Sequence, residues 1–260
     1  TCVEYAHNIL RADERVDSEK IGITGVSWGG VTASLAIGYD TRYAFAVPVY
    51  GTAYLGGEMH SFDKFGNEYV HALWAAEDRL DNFKNPVMWW AYNDDNNFAV
   101  PAYVNSYVHS VRNNEKDVLV MLGNWSHSHG SVFYYENEYS AVFADSVVKG
   151  GAGFVRFGNQ PSGGEINCAL VVPEGAVVTG ATVYYITEKM TYTVFDKFGW
   201  GNAYPFLTQT WQTSSTAVTV TEDGRLTGSI PEDVKGYYVN VEFSIGGVNS
   251  QVSSVFTEII

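Results

Sequence analysis

Lys20-Ile21-Gly22-Ile23-Thr24-Gly25-Val26-Ser27-Trp28-Gly29-Gly30 decides the fold of this 260-residue chain. The run ending at Thr24 predicts a buried strand, and the small-residue stretch from Val31 to Ile37 predicts a helix. Between them Gly-x-Ser-x-Gly predicts a sharp turn with Ser27 at the bend, a nucleophile elbow. Serine is a poor nucleophile until a base takes its proton and nearby donors hold the oxyanion. The bend lifts its hydroxyl clear of the backbone, where a histidine from elsewhere in the chain can reach it. Glycines two residues before and after Ser27 are expected because a β-carbon at either place would clash in so tight a turn. The bland alternative is a glycine-rich strand-to-helix loop.

Working outward, the chain up to Gly150 alternates strand-like and helix-like segments, which predicts a parallel sheet with helices on its faces. The strand candidates are Lys20–Gly25, Phe45–Val49, Pro86–Tyr92 and Asp117–Leu122, each a short apolar run. Helices are expected over Trp28–Tyr39, Ala99–Val111 and Asn137–Lys149, with Tyr50–Asn85 forming a less regular cap. After Gly150-Gly151-Ala152-Gly153 the pattern changes to short alternating segments: Asn167–Val172, Ala181–Ile186, Ala217–Val220, Gly236–Phe243 and Val252–Thr257. Turn signals such as Pro173-Glu174-Gly175, Glu222-Asp223-Gly224 and Gly246-Gly247 punctuate them. This spacing predicts a β-sandwich of immunoglobulin-like type over residues 151–260, following an α/β domain over residues 1–150.

Composition supports a soluble globular chain, 46% hydrophobic and 15% aromatic. The net charge of −14 argues against nucleic acid or an anionic membrane as partner. Cys2 and Cys168 fall in different predicted domains and indicate neither a disulfide scaffold nor a metal site. Few lysines with abundant Tyr, Asn, Gly and Thr give a secreted flavour, the alternative being cytoplasmic.

An activated serine needs an acid and a histidine later in the chain, in that order. Trp125-Ser126-His127-Ser128-His129-Gly130 follows the last predicted strand of the first domain, so His127 and His129 are candidate bases. His7, His60, His71 and His109 are expected on helix or cap surfaces. His127-x-His129 has metal-ligand spacing, but without an accompanying Cys or acidic cluster no metal or other cofactor is expected. The acid should follow the strand ending at Tyr92, where Asn93-Asp94-Asp95-Asn96-Asn97-Phe98-Ala99-Val100-Pro101 stands. Asp94 and Asp95 are both candidates to orient the imidazole. The competing reading is that they are solvated loop residues or cap the next helix.

These residues resemble the acetylxylan esterase and dienelactone-hydrolase-like branch of the α/β-hydrolases. The resemblance rests on Ile23-Thr24-Gly25-Val26-Ser27-Trp28-Gly29-Gly30 followed by Phe45-Ala46-Val47-Pro48-Val49-Tyr50-Gly51. Asn96-Asn97-Phe98-Ala99-Val100-Pro101 is similar to the family's acid motif and His127-Ser128-His129 to its histidine motif. One departure stands out: the family's aspartate usually lies four residues before the proline, and that position here is Asn97. Either Asp95 or Asp94 takes the role, with Asp95 favoured, or the chain is a non-catalytic binding relative. In a complete α/β-hydrolase the elbow follows the fifth strand. Here a single helix-like stretch, Cys2 to about Arg15, precedes it. The sequence therefore reads as the C-terminal part of an α/β-hydrolase sheet followed by the sandwich. Lys20–Gly25 is then expected at the sheet edge, and the missing N-terminal part of the polypeptide is expected to complete the oxyanion hole.

The resemblance implies a serine ester hydrolase acting on small acyl groups such as acetate on carbohydrate. Ser27 would be the nucleophile, His127 or His129 the base, Asp95 its partner and the Trp28 backbone N–H one oxyanion donor. Trp28, Trp74, Trp89, Trp90 and Trp125 would in part furnish a sugar-stacking surface. A serine peptidase of the prolyl-oligopeptidase type shares the elbow and the acid–histidine order, and is the competing activity.

Overall fold

Among the described residues, four parallel strands carry the first half of the molecule: β1 (Ile23–Val26), β2 (Ala46–Val49), β3 (Met88–Asp94) and β4 (Val118–Ser126). They lie in sequence order in one sheet, with β1 at an edge. A computed structural model describes residues 2–55, 68–95, 97–127, 138–151, 153–190, 192–195, 204–207 and 210–259. Helices α1 (Cys2–Ala12), α2 (Trp28–Tyr39), α3 (Glu68–Trp74), α4 (Val100–Ser110) and α5 (Glu138–Val148) flank or follow the strands, with a 3₁₀ turn at Glu77–Asn82. Residues 56–67, a third of the expected cap, lie outside the described residues.

The strands are short apolar runs because both faces of this sheet are covered. β2 is buried throughout, and Met88 to Tyr92 of β3 are at most 1% exposed. Trp89 and Trp90 are fully buried there, so neither can supply the sugar-stacking surface expected of them. Pro48 sits inside β2, between β1 and β3, where a missing donor costs a ladder bond. The N–H groups of Ala46 and Tyr50 bond to Pro86 and Trp90 on the β3 side (3.1 and 2.7 Å). Pro48, midway between them, has no N–H to offer, and the β2–β3 register reduces to Val49 opposite Trp90 with a bridge at Ala46–Val87.

The second half is antiparallel. One sheet contains β10 (Gln212–Ser214), β7 (Ala176–Ile186), β13 (Gly236–Ile245) and β14 (Val248–Ser253), with β15 (Thr257–Glu258) added to β13. A second contains β11 (Val218–Val220), β12 (Arg225–Ser229), β6 (Glu165–Val171) and β5 (Arg156–Phe157). β8 (Tyr192–Phe195) and β9 (Tyr204–Leu207) form a hairpin. Ile166, Cys168 and Leu226 of one sheet and Val183, Val239 and Val241 of the other belong to a shared buried core, the layout of a β-sandwich. Gly246 and Gly247 take φ of 58° and 82°, the left-handed pair that a two-residue hairpin loop requires between β13 and β14. Cys168 is buried and Cys2 exposed, and they are not bonded to each other.

The halves are joined by polar side chains that close the exposed edge of β4. Ser253 Oγ accepts from the Met121 N–H (2.7 Å), and Asn240 Nδ2 donates to the Met121 carbonyl (3.0 Å). Trp211 Nε1 donates to the carbonyl of Asn93 at 3.0 Å. A bare strand edge would otherwise invite pairing with another chain.

Candidate active site

The chain from β1 into α2 turns at Ser27, whose φ of 56° and ψ of −117° no regular element uses. A non-glycine residue held there costs roughly 1–3 kcal/mol, offset by the surrounding packing. The Ser27 N–H bonds to the Val49 carbonyl (2.9 Å), and the Ser27 carbonyl accepts the Val31 N–H (3.0 Å) as the first bond of α2. A β-carbon on Gly25 would stand 2.1 Å from the Gly29 carbonyl oxygen, and one on Gly51 would stand 2.4 Å from that of Ser27. Gly29 itself has open space where its β-carbon would be. The expectation of a clash on both sides of the serine is therefore corrected: Gly25 and Gly51 make room, and Gly29 is the backbone that Gly25 must clear.

β3 and β4 bring the other two side chains to the same end of the sheet. Their register shifts between Tyr92 and Asp94, where the Asn93 side chain accepts the Asn124 N–H at 2.7 Å and Asn124 takes a φ of 59°. This irregularity sets where the ends of both strands deliver Asp95 and His127. His127 Nε2 lies 2.8 Å from Ser27 Oγ, and His127 Nδ1 lies 3.1 Å from each carboxylate oxygen of Asp95. The imidazole is held edge-on to Tyr50 (centroids 4.9 Å) and tilted against Phe98 (5.7 Å).

Asp95 is 3% exposed and its charge is shared among donors. Its Oδ1 accepts the N–H groups of Asn97 (2.7 Å) and Phe98 (3.0 Å), and its Oδ2 accepts the hydroxyl of Tyr103 (2.7 Å). Tyr103 is fully buried on α4. Burial first, and the Asp95 charge second, push its hydroxyl well above the ordinary phenol range, so it remains a donor.

The structure thus gathers Ser27, His127 and Asp95 in hydrogen-bond sequence. Asn97 contributes its backbone N–H to Asp95, so the carboxylate beside the histidine comes from two positions earlier than the resembled motif would place it. Asp94 is exposed and pairs in register with Ser126; desolvation and the neighbouring Asp95 charge raise its pKa. His129 lies outside the described residues, as do His60 and the side chains of His71 and Trp125. Trp28 opens α2 directly after Ser27 and is 39% exposed, and Trp74 is 38% exposed. Among the described residues no three His, Cys, Asp or Glu side chains are grouped to hold a metal ion. No helix among them is long and apolar enough to cross a membrane.

His7 departs from the surface placement expected of it. It is 1% exposed, bonds through Nδ1 to Asp40 Oδ2 (2.7 Å) and stacks on Tyr43 (3.9 Å). Arg42, and secondarily His7, hold the Asp40 carboxyl below the usual carboxylate range against the opposing effect of burial. His109 bonds to Tyr54 Oη and Asp81 on the outer side of α4. Sequence reasoning missed the supporting residues Tyr50, Phe98 and Tyr103. The available signal was aromatic: Tyr50 directly follows β2, and Phe98 and Tyr103 bracket Pro101 at the start of α4.

The prolyl oligopeptidase family model matches residues 2–132, just over half of the chain. No curated protein matches the sequence significantly. Among solved structures, an acylaminoacyl peptidase of Pyrococcus horikoshii shares 16% identity over 59% of this chain and 28% of its own, with a TM-score of 0.49. A puromycin-hydrolyzing peptidase of Mycobacterium tuberculosis shares 15% identity over 55% of this chain and 24% of its own (TM-score 0.46). An acetyl ester-xyloside bifunctional hydrolase of Caldicellulosiruptor lactoaceticus shares 17% over 54% of this chain and 60% of its own (TM-score 0.41). The chain spans about a quarter of the length of the two peptidases. With its elbow, its parallel sheet and the matched family model, the chain belongs to the prolyl oligopeptidase family.

Proposed function

We propose that Ser27, His127 and Asp95 form the catalytic triad of a carboxylic-ester hydrolase. The observation that carries this is the continuous line Ser27 Oγ–His127 Nε2 (2.8 Å) and His127 Nδ1–Asp95 (3.1 Å). Ser27 Oγ attacks the acyl carbonyl as His127 Nε2 takes its proton. Asp95 holds the proton on Nδ1, which leaves Nε2 free to accept, and its charge stabilises the imidazolium. The Trp28 N–H donates to the oxyanion. His127 then returns the proton to the departing alkoxide. In the second half-reaction a water molecule, deprotonated by His127, attacks the acyl-enzyme and releases the acid and Ser27.

Esterolysis is the less demanding of the two activities open to this site, because an alkoxide leaves more readily than an amine. The resemblance of the elbow and the Ala-Val-Pro-Val-Tyr-Gly segment supports acetyl esters of carbohydrate as substrates, with the exposed indole of Trp28 beside Ser27 as a stacking surface. A peptidase reading is favoured by the family model over residues 2–132. Matched p-nitrophenyl acetate and aminoacyl p-nitroanilide assays separate the two. Turnover of the ester together with release of acetate from an acetylated xylan supports the esterase, whereas turnover of the anilide at comparable kcat/KM overturns it. The approach of Asp95 to His127 supports catalysis over the inert binding reading that Asn97 suggested, and covalent labelling by a fluorophosphonate separates the two.

A further inference from the structure

We propose that the end of the sheet opposite Ser27 holds a second site, for a small organic dianion: a phosphate monoester or dicarboxylate with an apolar body. Ser27, Asp95 and His127 all follow the C-terminal ends of strands. Lys20, Ala44, Pro86 and Lys116 precede the N-terminal ends of β1 to β4 and line a cleft of about 740 Å³, within the usual range of small-molecule sites.

The charge of this cleft runs against that of the chain. The protein carries 15 Lys and Arg against 29 Asp and Glu. Among the described residues, five basic side chains, Arg11, Lys20, Arg42, Lys116 and Arg156, line this one concavity with a single acidic residue, Glu19. Arg11 pairs with Glu19, Lys20 with Asp17 and Arg42 with Asp40. Lys116 and Arg156 have no ion pair with a carboxylate among the described residues. The C-terminal ends of α1 and α5 reach the cleft, but each supplies only about half a negative charge, so together they do not cancel the two free cations. An ammonium and a guanidinium facing one cavity suit a dianion. Val147 and Val148, half-buried on α5, give the cleft an apolar wall that an inorganic ion would not use, backed by the buried Phe143 and Phe154 (edge to face, 5.9 Å).

Calorimetric titration of the whole chain with phenyl phosphate and with phthalate tests this. Saturable one-to-one binding is expected, weaker in high salt, with phenol not binding and inorganic phosphate binding less tightly. Whichever of the two dianions binds tighter identifies the anionic head group. Protein whose Ser27 has been blocked by a fluorophosphonate is expected to bind equally well, which separates this site from the hydrolytic one. Lys116→Gln with Arg156→Gln is expected to weaken binding about tenfold or more, from the loss of charge-assisted hydrogen bonds. Lys116 is exposed, so Lys116→Glu supplies a variant whose folding is not at risk. Unaltered affinity in Lys116→Glu, equal binding of phenol, or no saturable binding of either dianion overturns the proposal.

Discussion

Asp95→Asn removes one charge while keeping the shape of the side chain, and the surroundings of Asp95 dictate how the new amide must sit. Oδ1 accepts two backbone N–H groups, from Asn97 and Phe98, so the amide oxygen has to occupy that place. The amide nitrogen is then left at the position of Oδ2, facing the Tyr103 hydroxyl at 2.7 Å and His127 Nδ1 at 3.1 Å. An N–H group pointing at an N–H group is repulsive, and the imidazole escapes it by moving its proton to Nε2. In that tautomer Nε2 cannot accept the Ser27 proton. The equivalent change in the Ser-His-Asp protease template lowers kcat by about 10⁴, and a loss of roughly 10³–10⁴ is expected here. Asn97 offers His127 no comparable help, since its backbone N–H is spent on Asp95, so Asn97→Ala should cost less than about tenfold. Steady-state hydrolysis of p-nitrophenyl acetate measures both variants, with circular dichroism melting to confirm folding. The reasoning is refuted if Asp95→Asn retains turnover within tenfold of the parent, or if Asn97→Ala falls as far.

Three further outcomes follow from neighbouring contacts. Tyr103→Phe removes one donor from the buried carboxylate; hydrogen bonds to charged groups contribute about 1.5–3 kcal/mol, so kcat should fall by up to roughly 10–100-fold with KM little changed. A variant that melts earlier yet keeps full kcat would make Tyr103 structural only. Gly51→Ala places a β-carbon 2.4 Å from the Ser27 carbonyl oxygen, against backbone that cannot yield, and should abolish soluble expression or Ser27 reactivity; an active, stable variant contradicts the packing described. Burial raises the Asp117 carboxyl to about 7 from 3.8. Its folded pKa lies above the unfolded one, so its contribution is fully present below the unfolded value and is lost as pH rises through that window. Asp117→Asn can still accept the Val87 N–H and should flatten that fall, read as the difference in melting temperature between parent and variant across the window. Parallel pH profiles would contradict it.

What was legible in the sequence was local. The elbow is written in consecutive residues, and α2 begins and ends at Trp28 and Tyr39 as its small-residue pattern predicts. The Gly-Gly turn at residues 246 and 247 was equally plain, because the backbone geometry there admits few alternatives to glycine, but the strand after it begins at Val248 and not at the expected Val252. The acid was not settled, because the choice between Asp94, Asp95 and Asn97 turns on the β3–β4 irregularity and on two backbone donors that only the folded loop aligns. His7 was misplaced for a related reason. α1 buries a histidine against Asp40 and Tyr43 while leaving Tyr5 and Ile9 each 70% exposed, so the hydrophobic pattern points to the wrong face. β5 and β10 run for two and three residues, too short for alternation to register.

The central claim is that Ser27 is an activated nucleophile rather than a buried hydroxyl at a strained turn. Labelling the chain with a fluorophosphonate and locating the adduct by peptide mass spectrometry tests it most directly. One covalent adduct on Ser27 is predicted, absent in Ser27→Ala and slowed by roughly 10³-fold or more in His127→Ala. No adduct on folded protein, an adduct on another serine, or labelling of Ser27 at the same rate without His127 would contradict it.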